Sequence, residues 1–235
     1  MHQRSGMPVL IVDPRGRIRW HEVFENNPYI LRARPPAADG FKRIISGGGV
    51  RPYIALKGPT RWAWKPYRPK PAEMFFTDAE RAFAEPYRGM VMIEPNVKPN
   101  SHENKAWIAS RWVELVDQLD LPWVQCVPQL ATPHPGVKVL KVLTPTFRLA
   151  CAVLSVAKAF VGTEGGLHHA AAAVGTPAVI LWSEFISPDI TGYDSMVNLR
   201  HAGVACGNRL NCKGCRASMD AITVGEVVNA LKGLV

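Results

Sequence analysis

The sequence predicts an α/β fold built on a parallel sheet, and three observations carry that prediction. From Met90 onward short apolar runs alternate regularly with segments of helical period. The connections between them are short. Residues 159–182, AFVGTEGGLHHAAAAVGTPAVILW, read in one sweep as strand, glycine turn, alanine-rich helix, glycine turn and second strand.

Taken in order, Val91 to Glu94 is a strand, Asn104 to Leu119 an amphipathic helix, Trp123 to Val127 a strand and Val137 to Val142 another short one. Thr146 to Lys158 is a helix, followed by the strand–helix–strand unit. Thr223 and Glu226 are spaced as a capping box for a last helix, Val224 to Leu234. This succession is that of a Rossmann-like, nucleotide-binding half. Residues 1–88 differ: Pro, Gly and charges are dense, and only Val9 to Val12, Arg17 to Trp20 and Tyr53 to Leu56 read as strands. Arg68 to Ala72, RPKPA, reads as a linker or rigid loop, and Thr77 to Glu80 as a capping box for a short helix, Asp78 to Ala84. The predicted domains are therefore 1–88 and 89–235.

The corner at Gly165 and Gly166 is the candidate site. A helix start presents unpaired backbone N–H groups and a partial positive charge, which suits an anion, and glycine lets a ligand approach the main chain. A tightly packed β-α-β unit needs glycines at its corners for packing alone, so both readings stand. Gly175, Thr176 and Pro177 end the helix and launch the strand Ala178 to Trp182.

The chain has 235 residues, 47% of them apolar, enough to bury a core. No apolar run approaches the roughly 20 residues that cross a bilayer, and a cytoplasmic location, peripheral to the inner membrane, is the expectation. The formal charge of +9 points to an acidic partner, and much of the excess lies in the first third. There Trp62, Trp64 and Tyr67 interleave with Arg61, Lys65 and Arg68, a mixture able to stack on sugar rings or bases. Of five cysteines, Cys126 and Cys151 lie in apolar stretches as buried thiols. Cys206, Cys212 and Cys215 form C-x5-C-x2-C, with His201 upstream. A structural Zn or Fe site with these four ligands, a disulfide and free thiols are all compatible with that spacing.

Glu164, Gly165, Gly166, Leu167, His168 and His169, with Ala171, Ala172, Gly175 and Pro177 following, resemble the donor-site signature of glycosyltransferase family 9, the lipopolysaccharide heptosyltransferases. Glu164 stands where that family usually has Asp. EPNVKPNSHENKAWIASRWVELVDQL is similar to the family's strand, Lys-containing loop and Trp-bearing helix, and HEVFENNPYI to its phrase ending an N-terminal-domain strand. The resemblance implies a GT-B fold, two facing Rossmann-like domains with the donor in the C-terminal one, here with a reduced N-terminal α/β domain. The family's Gly-Asp loop, with its catalytic Asp, has no counterpart in the first 88 residues.

The resemblance further implies transfer of a sugar, a heptose in that family, from a nucleoside-diphosphate-sugar to an acidic acceptor such as lipopolysaccharide core, with no cofactor required. Lys98, Lys105, Thr163, Glu164, Gly165, Gly166 and His169 are then the donor-binding residues. Lys105 occupies the place of the family's phosphate-contacting Lys; an exposed loop charge is its plainer reading. Glu164, repelled by a diphosphate, would accept hydrogen bonds from donor-sugar hydroxyls. Asp13, after the first strand, is the candidate acceptor base, with Glu164 as the second catalytic acid. A non-catalytic nucleotide-sugar-binding protein, a glycosyltransferase acting on modified DNA and a GT-B-like sugar-nucleotide epimerase are the alternatives.

Overall fold

The computed structural model describes residues 6–36, 40–46, 51–98, 103–129, 136, 138–201 and 203–235. The chain forms two units, 1–51 with 74–78 and 52–73 with 79–235. The units thus do not divide at residue 88: residues 52–73 and 79–88 belong with the larger one.

In the first unit β1 (Val9–Val12) pairs in parallel with β2 (Lys42–Ile45), Val9 opposite Lys42 and Val12 opposite Ile45. Val9, Leu10 and Val12 are buried, which is what an unbroken VLIV run requires. After β1 the chain turns tightly, and Ile18 returns only a single bridge to Val12. The strand expected at Arg17 to Trp20 is reduced to that bridge, because Asp13 uses the backbone N–H of Arg17 to close the turn. β2 has no apolar alternation in its sequence, since KRII puts Lys42 and Ile44 on its half-buried side and Arg43 and Ile45 on its exposed one.

The larger unit opens with a hairpin, β3 (Ile54–Lys57) against β4 (Trp62–Trp64), antiparallel. Its main sheet contains β5 (Val91–Glu94), β6 (Trp123–Val127), β7 (Val139–Leu143), β8 (Ala159–Thr163), β9 (Ala178–Trp182) and β10 (Val197–Arg200). All neighbours are parallel, in the order β7-β6-β5-β8-β9-β10. The chain starts at the centre, winds to one edge, returns to the centre and winds to the other. This is the doubly wound Rossmann order, and its direction reverses between β5 and β8.

The described helices are α1 (Asp78–Ala84), before β5, α2 (Ala109–Gln118), between β5 and β6, α3 (Phe147–Val156), between β7 and β8, α4 (Gly166–Val174), between β8 and β9, α5 (Pro188–Thr191), between β9 and β10, and α6 (Lys213–Ala221) and α7 (Val224–Lys232), after β10. Val91, Ile93, Val161, Val179 and Leu181 point to one face of the sheet, where Trp112 and Leu115 of α2 and Val227 and Leu231 of α7 cover them. Trp112 is 1% exposed, and truncating it to alanine costs about 3–5 kcal/mol. Its ring meets that of Trp107 edge-on at 4.8 Å, and the Trp107 imino group donates to the Ile222 carbonyl at 2.9 Å. α3 and α4 pack together. Thr176, just past α4, donates its hydroxyl to the Leu154 carbonyl near the end of α3 at 2.7 Å.

The expected helices are present with trimmed ends. The one expected from Asn104 begins at Ala109, and the one expected from Thr146 takes Thr146 as its N-cap, whose hydroxyl accepts from Leu149 N–H at 3.3 Å. Thr223 and Glu226 form the anticipated reciprocal cap, and Gly175 ends α4 in the left-handed conformation at φ 77°. The strand expected from Val137 starts at Val139, residue 137 lying outside the described residues. No element of the larger unit is long and apolar enough to cross a membrane among the described helices.

Candidate functional site

In a doubly wound sheet the crevice for ligands opens beyond the carboxyl ends of the strands that flank the reversal. Here those ends are Glu94 on β5 and Thr163 on β8. Thr163 is 8% exposed, and the next residue, Glu164, leads into Gly165, the N-cap of α4. Gly165 is extended at φ 176°, a conformation open to any residue. A side chain there would meet only the Thr163 carbonyl, at 3.8 Å, so the backbone is approachable at that corner. At Gly166 a Cβ would touch the Phe147 ring at 3.6 Å.

Glu164 accepts a hydrogen bond from the Lys105 ammonium, and the two side chains are 12% and 18% exposed. The same ammonium lies 4.9 Å from the centre of the Phe185 ring. Burial pushes the Glu164 carboxyl up, but Lys105, His168 and His169 outweigh it and hold the group below the ordinary carboxylate range. Glu164 is therefore a carboxylate at neutral pH and Lys105 its counter-ion.

His168 is fully buried in the first turn of α4. Its Nε2–H donates to the Thr191 carbonyl at 3.0 Å, and its Nδ1 accepts from the Gly165 N–H at 3.1 Å. Burial holds it below the usual histidine value, against the opposing pull of Glu164 and of the Thr191 and Gly165 carbonyls. The ring is thus a neutral peg that clamps the glycine corner to α5. His169 Nδ1 instead reaches the Tyr193 hydroxyl at 2.9 Å. Glu164, His168 and His169 bring ligand atoms within 4.8 Å of one another, but a cation there would displace the Lys105 ammonium and find His168 Nε2 already donating.

Glu94, at the carboxyl end of β5, is a candidate that the sequence reading passed over. Burial raises its carboxyl to about 7, with the Asn96 N–H, 2.8 Å from Oε1, and Gln125 opposing. Its signal was positional, the last residue of a strand at the reversal, and required the strand order. Asn104 was also missed. It is 4% exposed, and its side chain bonds the backbone of Asn208, Leu210 and Cys212, more than a hundred residues away.

Lys98 stands exposed beyond β5, in a loop whose residues 99–102 lie outside the described ones. Asp13 lies in the smaller unit and serves its turn. Its Oδ1 accepts from the Arg15 and Arg17 N–H groups at 2.9 Å each, and its Oδ2 from Arg17 Nε at 2.7 Å. Arg17 first, through these bonds, holds the Asp13 carboxyl below its ordinary value. The three cysteines Cys206, Cys212 and Cys215 converge, but His201 is not in their group; its Nε2 meets Glu226 Oε1 at 2.6 Å. Cys126 and Cys151 are buried as expected, the Cys126 thiol pushed up to about 12 by burial.

Trp62 and Trp64 turn inward on the hairpin. Both rings pack against Phe185, and the Trp64 imino group donates to the Phe185 carbonyl at 3.0 Å. Beside them a cleft of about 630 Å³ is bordered by Arg61, Trp64, Lys65, Asp189 and Arg200.

The six-stranded unit is similar to solved glycosyltransferases. E. coli ADP-heptose lipopolysaccharide heptosyltransferase II matches with a TM-score of 0.52 at 19% identity, over 69% of this chain and 53% of that one. A glycosyl transferase of family 9 from Veillonella parvula matches with a TM-score of 0.51 at 14% identity, over 69% and 53%. The chain spans about half the length of these proteins. At such identities the likeness is one of fold, a parallel Rossmann-like sheet with flanking helices. No protein-family model matches the chain, and no curated protein matches it.

Proposed function

We propose that the larger unit binds a nucleoside-diphosphate-sugar beyond β5 and β8 and that the chain acts as a glycosyltransferase. The observation that carries this reading is the largely buried Lys105–Glu164 pair beside the approachable glycine corner of α4. A diphosphate entering there takes the Lys105 ammonium as its own counter-ion, while the first-turn amides of α4 point to the same place. Glu164, released from Lys105, is free to accept hydrogen bonds from the sugar hydroxyls.

In the transfer step the acceptor oxygen bonds to the anomeric carbon as the bond from that carbon to the diphosphate breaks. Charge builds on the departing phosphate oxygen, where Lys105 and the helix amides stabilise it. The acceptor's proton passes to a base. The likeness in fold to heptosyltransferases favours a heptose and an acidic acceptor such as lipopolysaccharide core, and the net charge of +9 fits an acidic acceptor. The chemistry requires no cofactor, and a zinc or iron ion at the cysteine loop would be structural.

Calorimetric titration of the full chain with ADP, UDP and their sugar conjugates tests the proposal. Binding that weakens at least roughly tenfold in Lys105→Ala is the expected result; no binding of any nucleoside diphosphate would abandon it. A second reading, a nucleotide-sugar-binding protein without transfer, is favoured by the commitment of both Asp13 oxygens to a turn. Sugar transfer or donor hydrolysis that disappears in Glu164→Ala rejects it.

A further inference from the structure

The loop carrying Cys206 and Cys212, which runs into α6 with Cys215 in its first turn, is a hub of the larger unit. Cys206 Sγ lies 3.5 Å from Cys215 Sγ and 4.0 Å from Cys212 Sγ, and all three sulfurs fall within 4.8 Å of one another. A disulfide would hold two of them at about 2.05 Å. Thiolates at about 2.3 Å from a tetrahedral zinc stand roughly 3.8 Å apart, between the 3.5 and 4.0 Å found here, with one vertex left for solvent.

The backbone of this loop is used on two sides. On one, Trp62 N–H donates to the Gly207 carbonyl at 2.9 Å, Arg61 Nε to the Cys206 carbonyl at 2.7 Å and Arg209 N–H to the Thr60 carbonyl at 2.8 Å. Gly207 has φ +63°, and a Cβ there would stand 1.9 Å from the Trp62 carbonyl oxygen, so only glycine permits this contact. On the other side stands Asn104. Its Nδ2 donates to the Asn208 carbonyl at 3.0 Å and the Leu210 carbonyl at 2.7 Å, and its Oδ1 accepts from Cys212 N–H at 3.0 Å. Both donor hydrogens and one of the two acceptor positions of this buried amide are therefore spent on the cysteine loop. The next residue in the chain is Lys105.

We infer that a thiophilic ion, zinc or iron(II), held by Cys206, Cys212 and Cys215 fixes the position of Lys105 against Glu164, with Asn104 as the positioning residue that links loop to lysine. The functional half of this inference rests on the donor-site reading above. Metal binding releases the thiol protons to solvent as the sulfur–metal bonds form, and no electron is exchanged. With the ion in place the loop presents two carbonyls and one N–H in a fixed array. Only an amide side chain satisfies such an array, since aspartate has no donor to offer.

The test uses the full chain under reductant, with two readouts. Elemental analysis and cobalt(II) substitution measure the site: about one ion per chain and a thiolate-to-cobalt absorption band are expected, both lost in Cys212→Ser. Amide hydrogen exchange of residues 103–107 then measures the link. Chelation should speed exchange there at least roughly tenfold, and readdition of zinc should restore it. Asn104→Asp should keep the cobalt band yet exchange rapidly at 103–107 whether or not metal is present. ADP affinity should fall with chelation and in Asn104→Asp alike. A chain that takes up no ion, or whose 103–107 exchange and ADP affinity ignore the ion, overturns the inference. Metal-dependent protection of 103–107 without any nucleotide binding upholds the link and sinks the donor-site reading instead.

Discussion

Replacing Lys105 by alanine takes the cation from a pair whose side chains are 18% and 12% exposed. Ion pairs in water are worth about 0–1 kcal/mol, whereas removing one partner of a buried pair costs about 3–5 kcal/mol, because the other charge is stranded. At about 2–4 °C per kcal/mol for a domain of this size, the melting temperature at pH 7 should fall by roughly 6–20 °C. The effect has a pH signature. In the unaltered chain Glu164 titrates below its ordinary value, so its contribution is present above that ordinary value and is lost as pH falls through the lowered one. Without Lys105 the burial that already pushes Glu164 upward prevails, and the penalty of the ionised carboxyl vanishes as pH falls through the raised value. The two stability curves should therefore converge in acid. Adding Glu164→Gln to the variant removes the stranded charge and should recover most of the loss at neutral pH. Urea and thermal unfolding between pH 4 and pH 8 give the comparison. A loss under about 1 kcal/mol at pH 7, or curves that run parallel into acid, would refute the reasoning by placing the pair in water.

Two other groups give opposing slopes in the same pH range. Glu94 titrates at about 7 in the folded chain against 4.5 ordinarily, so its favourable share is full below 4.5 and lost as pH rises through 7; Glu94→Gln should raise stability at pH 8 by on the order of 2–3 kcal/mol and flatten that part of the curve. His168 is held below its ordinary value of 6.5, so its share is present above 6.5 and lost as pH falls through the lowered value; His168→Gln should remove that acid-side slope while costing about 1–3 kcal/mol at pH 7 through its buried hydrogen bonds.

What the sequence made legible followed from local rules. Unbroken apolar runs marked β5, β6, β8 and β9, because strands covered on both faces need no alternation. Thr146, Thr223 and Gly175 marked helix ends, because caps are local chemistry. The glycine corner and Glu164 were visible for the same reason. The residues that escaped depend on distant partners. Glu94 matters through the order of strands, Asn104 through a loop more than a hundred positions away, and the short edge strands β2, β4 and β10 through pairing rather than composition. The tryptophans of the hairpin were legible in part: their rings pack against Phe185, which composition does not show, while both still line the cleft beside Arg61 and Lys65.

The hairpin β3–β4 precedes the large sheet in sequence and rests on the cysteine loop near its end. A polypeptide trimmed to begin at residue 89 would keep every strand of the doubly wound order. It would also shed the amide that Gly207 accepts from, the carbonyl that Arg209 donates to and the indole bonded to Phe185. Any fragment cut for crystallisation or labelling should therefore start no later than Pro52.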